Sequence, residues 1–178
     1  MTTYVALLRG INVGGKNRLP MSELKAHLEH AGFQSVRTYI QSGNIVFEHP
    51  SDTLASLADG IADVIESAQG FRPSVVVLDR KALKVAVARN PYSGDEGLEK
   101  TLHLYFLSER PCAPDFESMD VIKGTTESYR LIDAVFYLHT PDGFGRSKLA
   151  QRVEKLLGVN ATARNWRTVH KVMELATE

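Results

Sequence analysis

Disulfides, membrane spans and an imbalance of charge are all missing from this 178-residue chain. One cysteine, Cys112, cannot form an internal bridge, which fits a reducing compartment. The opening MTTYVALLRG carries no apolar signal segment, and no apolar run approaches the ~20 residues that cross a bilayer. The expectation is a cytoplasmic protein with no membrane partner. Lysine plus arginine and aspartate plus glutamate stand at 21 each, for a net charge of zero. That balance argues against a general polyanion binder and leaves room for a local basic site. The six histidines are scattered. His27 and His30 lie three apart on the polar side of a short helix, with no third ligand nearby in sequence, so no metal is expected. No serine-centred elbow is present, Cys112 has no adjacent basic helix end or histidine in sequence to activate it, and Asp95-Glu96 sit in a polar loop where little would tune them. No cofactor is expected and no catalytic residue is identified.

What is present is the composition of an ordinary globular protein, 43% hydrophobic and 24% charged, long enough for one domain or two small ones sharing a core. Val5 to Leu8 reads as a short apolar strand. In PMSELKAHLEHAGF, Met21, Leu24, Leu28 and Ala31 fall at helical spacing, with Pro20 suited to the first helical position and Gly32 to the C-terminal cap. SVRTYIQSGNIVFEH divides at Ser42-Gly43-Asn44 into a hairpin. A second helix runs from about Thr53 to Gln69, with Leu54, Leu57, Ile61, Val64, Ile65 and Ala68 as its apolar face, and SVVVLD follows as a strand. Both helices stop at a glycine followed by phenylalanine, a cap in which the apolar residue packs back on the last turn.

The order β-α-β-β-α-β predicts an α+β fold with a ferredoxin-like first half over residues 1–79. Residues 80–100 read as a connecting helix, broken at Asn90-Pro91, and a polar loop. Residues 101–178 read as a degenerate α+β second half: strand TLHLYFL, a proline-bounded loop or short helix, a hairpin turning near Ile132-Asp133, a helix SKLAQRVEKLLG, and a last helix with Asn165 as its N-cap.

Gly10 to Lys16 fits the G-x-x-x-x-G-K core of a phosphate-cradling loop, and VVVLD looks like its acidic partner strand. The fit fails on chemistry. The residue after the lysine should offer a hydroxyl to magnesium and open a helix. Here it is Asn17, and Pro20 delays the helix. Asp79 reads instead as a helix-capping residue.

The block LLRGINVGGKNRLPMSELKAHLEHAGFQSVRTYIQSGNIVF, with PDGFGRSKLAQRVEKLLGVNATARNWRTVHKV far behind it, closely resembles the bacterial family catalogued as domain of unknown function 1697. The resemblance spans essentially the whole chain. It implies a cytoplasmic α+β protein of two ferredoxin-like halves, and it lends no reaction, cofactor or catalytic residue. From the residues themselves, the first block gathers Arg9, Asn12, Lys16 and Asn17 after a strand, and its hairpin adds Tyr39, Gln41, Ser42 and Asn44. The second offers Arg146, Ser147 and Lys148 at a helix start, then Arg164, Asn165 and Trp166 at another. Exposed amides, cations and a hydroxyl in one place are the parts of an anion site, Arg164 adds a two-pronged donor, and Trp166 a stacking face. The same residues also have plain structural readings as turn residues, caps and a core anchor. The functional expectation is a small phosphate-bearing or other anionic ligand held between the halves by Arg9, Lys16, Arg146, Lys148 and Arg164. The alternatives are a single-stranded nucleic-acid module, with Tyr4, Tyr39 and Phe47 as stacking aromatics, or a protein-interaction domain without catalysis.

Overall fold

The computed structural model describes residues 1–50 and 53–178. Its first half runs β1 (Thr2–Arg9), α1 (Met21–His30), β2 (Gln34–Tyr39), β3 (Asn44–His49), α2 (Leu54–Gln69), β4 (Ser74–Asp79) and α3 (Arg80–Ala88). The strands form one antiparallel sheet in the order β2-β3-β1-β4. Tyr4, Ala6 and Leu8 of β1 point to the face shared with Ile45 and Phe47 of β3, and Leu24, Leu28, Leu57, Ile61 and Ile65 of the helices pack there. The alternate residues Val5 and Leu7 are buried as well, which is why this strand reads as an unbroken apolar run. Each such side chain taken from water contributes about 1.5–3 kcal/mol. The α2 stripe is narrower than its sequence implies, since Leu54 and Ala68 at its two ends are exposed.

Caps follow the sequence closely. Gly32 takes φ 96°, and Phe33 N–H donates to Leu28 O at 3.1 Å while its ring is buried. Gly70 takes φ 76° and closes α2 onto Glu66 O. Pro20 lies one position earlier than expected, at the N-cap, with an extended ψ of 128°.

The second half runs α4 (Leu98–Thr101), β5 (Leu102–Leu107), α5 (Phe116–Ile122), β6 (Ser128–Ile132), β7 (Val135–His139), α6 (Val153–Leu157), β8 (Ala161–Asn165) and α7 (Trp166–Thr177). Its sheet order, β6-β7-β5-β8, is the same as the first with each strand in the corresponding place. The expected α+β architecture of two sheet-and-helix halves is therefore present, and the second half is more complete than its sequence reads. Strand β8 is the addition. ATARN is short, carries a charge, and hides its pattern because two of its apolar positions are alanines.

The helix expected from Ser147 shortens to Val153–Leu157. Ahead of it the chain forms a 3-10 turn over Phe144–Arg146, and Arg152 N–H then donates to Leu149 O, an i→i+3 bond that tightens the segment below α-helical pitch. The apolar spacing is kept, with Leu149, Val153 and Leu157 all buried.

Two compact units result: residues 1–85 together with 171–178, and residues 86–170. The last two turns of α7 thus count with the first unit. No helix among the described residues is long and apolar enough to cross a membrane.

Candidate anion-binding loops

The connection from β1 to α1 is built from left-handed backbone. Gly10, Asn12, Gly14, Gly15 and Asn17 all have φ between 50° and 74°. Val13 and Lys16 pair across Gly14-Gly15, with Lys16 N–H donating to Val13 O at 3.1 Å, and positive φ at both central residues makes this a type I′ hairpin tip. Asparagine tolerates the left-handed region because its side chain can bond locally. Both asparagines do so. Asn12 Oδ1 accepts from Leu19 N at 2.8 Å, while its Nδ2 donates to Leu19 O at 2.9 Å and to Gln41 O at 2.8 Å. Asn17 Nδ2 donates to Gly10 O at 2.9 Å. Lys16 is therefore followed by a hairpin return, with no helix start and no magnesium ligand. Its parent strand β1 is antiparallel to both neighbours, so nothing of a nucleotide-hydrolase loop remains.

The β2–β3 turn is tied to the same place by the Asn12–Gln41 bond. Gly43 O accepts from Leu8 N at 2.8 Å, and a Cβ on Gly43 would lie 2.6 Å from Leu8 Cβ. Buried Asn44 donates from Nδ2 to Tyr39 O at 3.0 Å and to Ser42 Oγ at 2.9 Å. Ile40 adopts φ 48° although half exposed, a strained conformation for a β-branched residue.

Eight of the candidate residues, Arg9, Asn12, Lys16, Asn17, Tyr39, Gln41, Ser42 and Asn44, are thus gathered on two bonded loops. Asn12, Asn17, Ser42 and Asn44 hold the loops in shape. Arg9, Lys16, Gln41 and the neighbouring Arg18 are exposed. Among the described residues no carboxylate lies within 4.0 Å of Lys16 or Arg18. Arg18 escaped the sequence reading, though a signal for it exists: the first acidic residue of the chain is Glu23, so residues 1–22 carry Arg9, Lys16 and Arg18 and no carboxylate side chain.

The other six candidates lie in the second unit and form two separate stretches of chain. Arg146 and Lys148 are exposed, and between them buried Ser147 turns Oγ inward to accept from Ala150 N at 2.9 Å. Arg164 sits on β8 opposite Leu104, nine-tenths buried, with Nη1 donating to Ala163 O at 2.8 Å. Burial pushes its pKa down to about 10. Asn165 Oδ1 accepts from Thr168 N at 2.8 Å, the expected cap of α7. Trp166 is half buried and meets His170 edge-to-face at 4.4 Å. A further polar group lies in the same unit: His139 Nδ1 stands 3.8 Å from Asp95 Oδ2, with the Tyr92 ring 5.3 Å from the imidazole. Of the strand aromatics considered for base stacking, Tyr4 and Phe47 are core residues stacked on each other at 5.7 Å. Among the described residues no group of three or more His, Cys, Asp or Glu is placed to hold a metal ion.

No curated protein matches the chain. Among solved structures it is similar to the conserved bacterial protein SP0830 from Streptococcus pneumoniae, with a TM-score of 0.77, 23% identity, and 98% of each chain covered. At that identity the likeness speaks for the fold alone. The block running from the glycine-lysine loop through both hairpins lies inside the stretch recognised by one family, and the chain belongs to it: the protein of unknown function family DUF1697, matched over residues 1–137.

Proposed function

We propose that the paired loops of the first unit, residues 9–18 and 39–44, bind a small phosphate-bearing ligand, with Lys16 and Arg18 as its direct partners and Arg9 contributing to the local field. The observation that carries this reading is the pair of exposed cations without a described carboxylate, on a loop whose shape is fixed by Asn12 and Asn17. A loop already held in its bound shape loses little conformational freedom on binding. Arginine and lysine offer several donors to phosphate oxygens, and the acid-free first 22 residues leave the local field positive in a chain of zero net charge. The strand order of each unit also supports the ferredoxin-like description of the halves. The nucleic-acid alternative has lost two of its three aromatics, Tyr4 and Phe47, to the core.

Thermal melting of the full chain with inorganic phosphate, pyrophosphate, nucleotides and sugar phosphates tests the proposal. A ligand present at about 100 times its Kd adds about 2.7 kcal/mol and raises the midpoint. A rise with at least one phosphate compound, abolished in Lys16→Ala/Arg18→Ala, is the expected outcome. An unmoved midpoint across the panel, or a rise that the double substitution leaves intact, contradicts it.

A further inference from the structure

The first unit has a second polar site, away from the glycine-lysine loop. A cleft of about 330 Å³ lies against β2, the edge strand of the sheet, lined by Lys25, Glu29, Ser35, Arg37, Glu48 and Glu178. Its shape comes from a β-bulge. Gln34 pairs with Glu48 and Arg37 with Val46, so Ser35 and Val36 together face the single residue Phe47. Ser35 takes φ 50° to accommodate the extra residue, and its hydroxyl donates to Glu48 Oε2 at 3.1 Å. Val36, buried in the core, anchors the bulge from behind. Bulges of this kind break edge pairing and re-aim side chains, and they recur beside binding sites.

The charges around the cleft are only partly matched. Lys25 Nζ stands 3.7 Å from Glu29, and Arg37 Nη1 stands 3.7 Å from Glu178, both beyond hydrogen-bond length. Arg37 Nε is buried with no hydrogen-bond partner among the described residues. Glu48 takes the Ser35 hydroxyl and has no cation of a described residue within 4.0 Å. The lining therefore offers a guanidinium whose Nη1 stands only at ion-pair distance from Glu178 and a carboxylate that accepts one hydroxyl bond. A simple anion would meet three glutamates there, and a simple cation would meet Lys25 and Arg37. A molecule carrying both charges meets neither penalty.

We propose that this cleft binds a small zwitterion of the free α-amino acid class, its carboxylate taken by Arg37 and its ammonium by Glu48. The volume, at the low end of the ~300–1,000 Å³ of small-molecule sites, admits a ligand of that size. The site is separate from the basic loop and stands whether or not that loop binds phosphate.

Isothermal titration calorimetry of the full chain with glycine, L-alanine, L-lysine and L-glutamate, each beside its N-acetyl and carboxamide derivatives, tests the proposal. At least one free amino acid binds saturably, both capped forms bind about ten-fold or more weakly, and Glu48→Gln loses about ten-fold or more in affinity. Amide resonances of Ser35, Val36 and Arg37 shift on binding. Absence of saturable binding by every member up to about 10 mM overturns the proposal. So does equal binding of the capped forms, or unchanged affinity in a cooperatively melting Glu48→Gln. If that variant does not melt cooperatively, Arg37→Lys takes its place, since it keeps the charge and removes the two-pronged donor; unchanged affinity there overturns the proposal too.

Discussion

The two units share a frame and differ most in one connection. Both have the same strand order. Both fasten the hairpin turn to the central strand with one bond, Leu8 N to Gly43 O at 2.8 Å in the first and Leu107 N to Ala134 O at 3.0 Å in the second. Both close the helix before the last strand with a left-handed glycine, Gly70 and Gly158. Both cap the following helix with the last residue of that strand: Asp79 accepts from Ala82 N at 2.6 Å and Asn165 from Thr168 N at 2.8 Å. Between the first strand and first helix the likeness ends. One unit has a hairpin loop of five left-handed residues with Lys16 and Arg18 exposed on it. The other has Pro111, exposed Cys112 and Pro114, with no described positive-φ residue from 108 to 115. Paired strands and caps fix the frame, and chemistry is free to differ where the connection is not constrained by it.

The comparison is broken most severely at the hairpin turns. Gly43→Ala adds a Cβ at 2.6 Å from Leu8 Cβ in left-handed backbone and lowers stability by about 3 kcal/mol or more in urea unfolding. Ala134→Gly, at the corresponding turn, costs about 1 kcal/mol or less. Equal costs would contradict the close approach of Gly43 to Leu8.

Acid sensitivity separates the units next. His103 on β5 stacks on Phe144 at 3.7 Å, and burial pushes its pKa down to about 4. Between pH 6.5 and 4 the unfolded chain binds more protons than the folded one. Stability therefore falls as pH falls through that window, by at most about 3 kcal/mol, and levels off below it. His103→Phe flattens this part of the profile; an unchanged profile would show that the imidazole is not held neutral.

Asn12→Ala removes three hydrogen bonds that shape the cationic loop, for a loss of about 2 kcal/mol. Asp79→Ala and Asn165→Ala each cost about 1 kcal/mol, and similar values in the two units sharpen the equivalence of the caps.

Much of the frame was legible in the sequence because it rests on local signals: apolar spacing in α1, the Gly-Phe stops, and the capping residues Asp79 and Asn165. Strand β8 was not, since Ala161 and Ala163 fill core positions next to larger side chains and give no apolar alternation of their own. The helix predicted from Ser147 kept its buried spacing and lost its first turn to i→i+3 bonding, a choice that periodicity does not encode. For the site, residue types could gather candidates but could not separate the roles of Asn12 and Lys16. One is committed to Leu19 and Gln41, and the other projects into solvent, a distinction made by backbone φ and by partners distant in sequence.

Lys16→Ala and Arg18→Ala each change stability by less than about 0.5 kcal/mol, because neither side chain bonds to a described residue. That indifference makes them clean probes of the central claim, that the first unit's exceptional connection is an anion site. The direct measurement is calorimetric titration of pyrophosphate into the full chain and the doubly substituted Lys16→Ala/Arg18→Ala chain, at low and at high salt. The account predicts saturable binding by the parent chain, weakened by salt and reduced about ten-fold or more in the variant. Absence of binding by the parent chain, or equal affinity in a variant that melts like it, would contradict the claim.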